Sequence, residues 1–256
     1  MAEAGVGRRV LFLGGNGHCA ARLGPARAAL QRAGAPFELS DVDYPGFEGR
    51  AAPSDFDTFL EGVAGEVARG AGTASLVYAT GIGGLLALCL RARGQLLHVP
   101  MLLQAPVLWG LERRLMPRLL RLPLAHLAFD GLVAWKPFQV HFAGRCFERP
   151  LSTEGRDAFF AGYAHCPVAP DLFRWMGPAL LRHLEDAFGR APQALESVSI
   201  WWGGRDRILA RRELVWTSQA VDVAWPVRVI PEWGHYPMID EPDGWVAAVA
   251  AFLEGA

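Results

Sequence analysis

Apolar residues along this chain gather in short runs, and longer stretches of helical period separate them. The runs RVLFL (9–13), FELSD (37–41), SLVYA (75–79), VPMLLQ (99–104), SVSIWW (197–202) and VRVIP (227–231) combine aliphatic and aromatic residues with Gly, Pro or Asp close by. Such runs predict strands. Between them the spacing predicts helices over roughly 20–33, 54–69, 82–93, 211–220 and 242–254. Gly34 stops the first of these, and Ser54 with Asp55 supplies N-cap chemistry for the second. Alternation of this kind predicts a three-layer α/β/α sandwich with a mainly parallel sheet of about six strands. Right-handed crossovers then bring the loops at the strands' C-terminal ends around one crevice.

One interval breaks the rhythm. Residues 107–193, with LERRLMPRLLRLPLAHLAF and FRWMGPALLRHLEDAFGR, have helical period and little strand character. A segment so long is no plain loop. It predicts a helical cap inserted after the fourth strand, with residues 1–106 and 194–256 forming the core. Trp109, Trp135, Phe138, Phe142, Phe159, Phe160, Trp175 and Met176 make this cap aromatic, which suits an apolar or polyketide-like ligand and equally suits packing within the cap. Arg113, Arg114, Arg118 and Arg121 fall near one helical face and read as a solvated face rather than an anion or carrier-protein site.

Composition narrows the classes. A chain of 256 residues, 52% hydrophobic and 20% charged, can bury a core as one large domain. A net charge of −1 gives no electrostatic case for nucleic acid or an anionic membrane, and no apolar run is long enough to span a bilayer. Cys19, Cys89, Cys146 and Cys166 show neither a CxxC pair nor metal spacing. With no signal peptide in MAEAGVGRRV, reduced thiols in the cytoplasm are expected. No metal or cofactor is expected; the partner is a small apolar molecule, and the chain is a monomer or small homo-oligomer.

The chemistry concentrates at strand ends. SLVYA–TGIGG–LLALCL supplies the strand, sharp turn and helix of a nucleophile elbow, with Ala79 and Gly83 flanking the apex. Gly81 occupies the apex itself, where a nucleophile would stand. The first strand leads into LGGNGH, which places a backbone N–H at Asn16, and Ile82 offers a second at a helix N-terminus. Together they predict an oxyanion hole. GGNGHC lacks the G-x-G-x-x-G spacing of a dinucleotide loop. Asp206 follows the fifth strand and His235 the sixth, the order and placement of an acid–base pair. Gly15, Thr80, Trp109, Trp135 and Trp233 are the expected pocket residues. Thr80 precedes the apex, so its side chain should diverge from the crevice, and Cys19 reads as a small buried hydrophobe rather than a replacement nucleophile.

These motifs resemble the α/β-hydrolase superfamily, in its cap-bearing branch of esterases, thioesterases, C–C bond hydrolases and lyases. The resemblance rests on LFLGGNGH, DYPGFEGR, YATGIGG, GGRDRI and WGHYPMIDEP, and covers essentially the whole chain. It implies the hydrolase fold, with Asp206 and His235 as the pair and Gly81 at the nucleophile position. Three readings follow. One is an enzyme working without a covalent step, with lyase, isomerase or cofactor-free oxygenase chemistry on an apolar carbonyl compound. The second is an ester or thioester hydrolase whose nucleophile has been replaced. The third is an inactive pseudo-hydrolase that binds a small ligand or a protein partner.

Overall fold

The computed structural model describes residues 8–122, 125–164 and 166–255. The segment before Arg8, read above as lacking a signal peptide, lies outside them, as do Pro123, Leu124 and His165 of the cap and Ala256.

Among the described residues one six-stranded, all-parallel sheet forms the centre, in the order β2-β1-β3-β4-β5-β6. The strands are β1 (Arg8–Leu13), β2 (Phe37–Asp41), β3 (Ala74–Thr80), β4 (Met101–Gln104), β5 (Val198–Gly203) and β6 (Val227–Ile230). Every residue of β4 is buried, as a strand covered on both faces requires. It starts two residues later than the predicted 99–104. Pro100 has no N–H to give the ladder, although its carbonyl accepts from Val77 N at 2.9 Å.

The core helices are α1 (Gly24–Ala33), α2 (Phe56–Ala71) and α3 (Ile82–Ala92). The predicted 20–33 helix opens as a 3-10 turn over Ala20–Leu23. Asp55 caps α2 by accepting from Thr58 N at 2.8 Å. Between β4 and β5 the chain makes a 3-10 turn at Trp109–Arg113 and then a helical cap: α4 (Leu115–Leu120), α5 (Ala125–Ala134), α6 (Lys136–Cys146), α7 (Thr153–Ala164), α8 (Ala169–Trp175) and α9 (Pro178–Arg190). After β5 come α10 (Leu214–Val221), α11 (Pro237–Asp240) and α12 (Pro242–Gly255).

α1 and α12 pack together on one face of the sheet, and α2, α3 and α9 cover the other. Trp245 on α12 is fully buried, edge-on to Tyr78 of β3 at 5.3 Å and to Phe37 of β2 at 6.4 Å. Truncating such a residue costs about 3–5 kcal/mol. β1 has β2 on one side and β3 on the other, so the chain leaves β1 and β3 in opposite directions. The crevice outside their C-terminal ends is where an open α/β sheet presents a site.

Candidate active site

Gly81 stands at that crevice with φ +53° and ψ −121°, as the N-cap of α3. Its N–H donates to Gln104 O at 3.2 Å and its carbonyl accepts from Val107 N at 2.8 Å, so β4 and the chain beyond it hold the bend from both sides. A Cβ on Gly81 would meet only Gly15 Cα, at 3.9 Å. Two residues on, a Cβ on Gly83 would lie 2.3 Å from Leu13 O and 2.5 Å from Gly14 O. Glycine there lets α3 sit directly against the loop after β1.

That loop is braced from behind. His18 N donates to Gly15 O at 3.1 Å, turning the chain so that the Asn16 amide heads one side of the loop. The His18 ring binds Asp41 at the end of β2, with Nε2 2.8 Å and 3.0 Å from the two carboxylate oxygens. Tyr44 donates its hydroxyl to Gly14 O at 3.1 Å. Burial, reinforced by Asp41, keeps the Tyr44 phenol protonated well above its ordinary range. The Asn16 side chain donates through Nδ2 to Ala169 O of α8 at 2.8 Å, tying loop to cap. Neither the Asn16 N–H nor the Ile82 N–H has an acceptor among the described residues.

Asp206 and His235 meet as the strand order implies. His235 Nδ1 lies 2.7 Å from Asp206 Oδ2, with both side chains buried. Asp206 Oδ1 accepts from Ile208 N at 2.7 Å and Leu209 N at 2.9 Å. Burial pushes the Asp206 carboxyl up, but the facing His235 and these N–H groups outweigh it and hold the group below its ordinary range. A carboxylate on Nδ1 fixes the imidazole tautomer and leaves Nε2 as the basic nitrogen. The His235 backbone donates to Cys146 O at 3.1 Å, anchoring its loop to the end of α6.

His235, Gly81, Ile82, Asn16 and Gly15 line one cavity of about 150 Å³. Its remaining wall is largely apolar: Val107, Leu111, Pro117, Phe142, Tyr163, Phe173, Ile208, Leu209 and Tyr236, with Arg114 at one side. A larger hollow of about 610 Å³ opens beyond Tyr163 among α5, α6 and α7, but neither His235 nor Asp206 lines it. Among the described residues no cluster of three or more His, Cys, Asp or Glu could hold a metal, and no helix is long and apolar enough to cross a membrane.

Several expected pocket residues lie elsewhere. Trp135 ends up 59% exposed just beyond α5. Trp233 turns away from the cavity onto Trp201 of β5, ring to ring at 5.6 Å. Trp109 is buried with its indole N–H on Glu185 at 2.6 Å, and Val107 and Leu111 to either side of it reach the cavity instead. Thr80 sits with Gly15, His18 and Tyr236 around a small recess outside the main cavity. Cys19 is buried away from it, like the other cysteines, all free. Arg114, read as part of a solvated face, instead binds Glu213 at 2.8 Å and Ile208 O at 2.9 Å. The aromatic wall residues Tyr163, Phe173 and Tyr236 were absent from the expected set; Tyr236 was marked by its place beside His235.

Residues 10–249 match the model of the alpha/beta hydrolase family, and the chain belongs to that family. Among solved structures it resembles a loop variant of haloalkane dehalogenase DbeA from Bradyrhizobium elkanii, with 18% identity, 98% of this chain and 90% of that chain covered, and a TM-score of 0.72. It also resembles a protein described as a lipase from Acinetobacter baumannii AYE, with 15% identity over 98% and 85% of the two chains and a TM-score of 0.71. At these identities the likeness concerns the fold. No curated protein matches the chain.

Proposed function

We propose that this chain is an enzyme that performs non-covalent general-base chemistry on a small apolar carbonyl compound. The observation that carries the reading is the shared cavity: a carboxylate-backed imidazole, two unengaged N–H groups and a bare elbow apex line the same 150 Å³. Cavities for drug-sized ligands run to roughly 300–1,000 Å³, so the fit is to a small molecule. The open space over Gly81 takes substrate or water where a nucleophile would otherwise stand. His235 Nε2 removes a proton, either from a carbon beside the carbonyl or from a water adding to it. The negative charge that develops on the carbonyl oxygen is received by the Asn16 and Ile82 N–H groups. Asp206 stabilises the imidazolium until the proton is returned to product.

Exchange of the α-hydrogens of small ketones and thioesters in D₂O, followed by NMR, reads proton abstraction directly, and ester hydrolysis reads water addition. One of the two is expected in the native chain and is expected to vanish in His235→Ala. Equal rates with and without the imidazole would overturn the reading. A ligand-binding role without turnover is favoured by the bare apex alone, and is the outcome if both reactions are silent while small ligands bind.

A further inference from the structure

Two cations near the site take no part in its chemistry: Arg114 on the cavity wall is neutralised by Glu213, whereas Arg22 is not paired in this way. Arg22 lies in the 3-10 turn after the Asn16 loop and is only 6% exposed. Its Nε and one terminal nitrogen donate to Phe159 O of α7 at 3.0 Å and 2.6 Å, and the other terminal nitrogen donates to Asn16 O at 3.1 Å. The guanidinium carbon sits 3.9 Å from the Phe159 ring centre and 4.9 Å from that of Tyr163. All these partners are carbonyls or ring faces; among the described residues no carboxylate pairs with it. Asp206 is committed to His235 and Asp41 to His18, and Asp240 accepts from Glu148 N at 3.0 Å. An arginine does not shed its proton, so burying one without a counter-anion leaves a positive charge behind the loop. Burial raises the phenols of Tyr163 and Tyr236, which line the cavity, and the Arg22 charge opposes that rise from behind the wall.

We propose that Arg22 is a positioning residue that makes the cavity an anion site. It clamps the Asn16 loop to α7 and supplies the positive potential under which the Asn16 and Ile82 N–H groups hold an oxyanion. The ligand class is a short-chain carboxylate, or the oxyanion formed from a small apolar carbonyl compound, with its chain against Val107, Leu111 and Phe173. The inference rests on the oxyanion site of the preceding section and does not require turnover.

Calorimetric titration of the full chain with butyrate, and with butyramide as its neutral isostere, tests it. Butyrate is expected to bind more tightly than butyramide. Arg22→Gln is expected to weaken butyrate by roughly tenfold while leaving butyramide within about twofold. Arg22→Lys, which keeps the charge and loses the planar fork, is expected to retain the preference for the anion. Butyrate binding no tighter than butyramide to the native protein overturns the proposal whatever the variants do. Equal weakening of both ligands in Arg22→Gln overturns it too, since a purely structural clamp would act that way. In His235→Ala, retained butyrate binding with undiminished proton exchange removes the general-base reading and leaves the role of Arg22 standing.

Discussion

Replacing Gly81 by serine probes the site at its emptiest point. Space is not the obstacle, because a Cβ there would find nothing nearer than Gly15 Cα at 3.9 Å. The backbone is: at φ +53° and ψ −121° an L-residue carries strain, of about 1–3 kcal/mol. At roughly 2–4 °C per kcal/mol for a chain of this size, the expected drop in Tm is about 2–12 °C. Gly81→Ala carries the same strain without the hydroxyl and serves as the reference. Gly83→Ala is the opposite control, since its Cβ would press on Leu13 O at 2.3 Å and Gly14 O at 2.5 Å. Those are backbone atoms of the last residue of β1 and the first of the loop after it, so its cost is expected to exceed about 3 kcal/mol. Calorimetry gives the stabilities, and hydrolysis of p-nitrophenyl butyrate gives the chemistry. A hydroxyl at the apex shares the cavity of His235, so Gly81→Ser is expected to turn over the ester about a hundredfold faster than Gly81→Ala, a small part of the roughly 10⁶ a nucleophile is worth in an evolved serine hydrolase. A folded Gly81→Ser protein no faster than Gly81→Ala would refute the convergence of apex, imidazole and N–H groups. A larger Tm loss at position 81 than at 83 would refute the steric argument.

Three other outcomes are expected. Asp206→Asn should lower proton exchange or hydrolysis by about 10³–10⁴ by releasing the imidazole tautomer, read from the same assays; because the Asp206 carboxyl is held below its ordinary range, its contribution to stability should be present above about pH 4 and lost only as pH falls through the depressed value. Asp240 behaves in the opposite sense: burial, with Glu148 and Glu241 nearby, raises its carboxyl to about 6. Between about pH 4 and 6 the folded chain therefore keeps a proton that the unfolded chain has released, and stability from this group falls as pH rises. Asp240→Asn should flatten that slope, by about 1 kcal/mol after solvent screening, in urea titrations across the window. Arg91, 1% exposed, donates to the carbonyls of Ala194, Glu196, Leu96 and Val99 and so joins the end of α3 to the segments entering β4 and β5. Arg91→Met should destabilise by about 2–4 kcal/mol in the same titrations, as two buried and two half-buried carbonyls lose their donor.

Much of the fold was legible because the strands are short apolar runs and the crossover helices longer ones, amphipathic as in α2 or buried nearly throughout as in α3. The continuous apolar runs of the central strands, such as β4, are the same physical fact as burial on both faces of the sheet, and the edge strands β2 and β6 are more exposed. Boundaries slipped where a local rule intervened, as at Pro100 before β4 or at Arg211–Glu213, where the predicted 211–220 helix opens as a 3-10 turn. α11, four residues long, is too short for helical period to register. In the site, Gly81, Ile82, Asn16 and His235 could be placed from sequence because all of them follow the C-terminal end of a strand, and parallel strands deliver those ends to one crevice. The tryptophans could not, because aromatic content does not state which way a ring turns. Trp233 and His235 are two apart, which in a strand would put them on one side; here the chain is turning, with Trp233 N on Ile230 O at 3.2 Å, and the alternation no longer holds. Arg22 is the extreme case. A side chain paired with a carboxylate leaves a second charged residue to notice, but its partners are main-chain carbonyls, one of them 137 residues further along. Every residue carries that group, so no pattern of side chains marks the contact, and a buried cation of this kind becomes visible only once the cap has been laid over the loop.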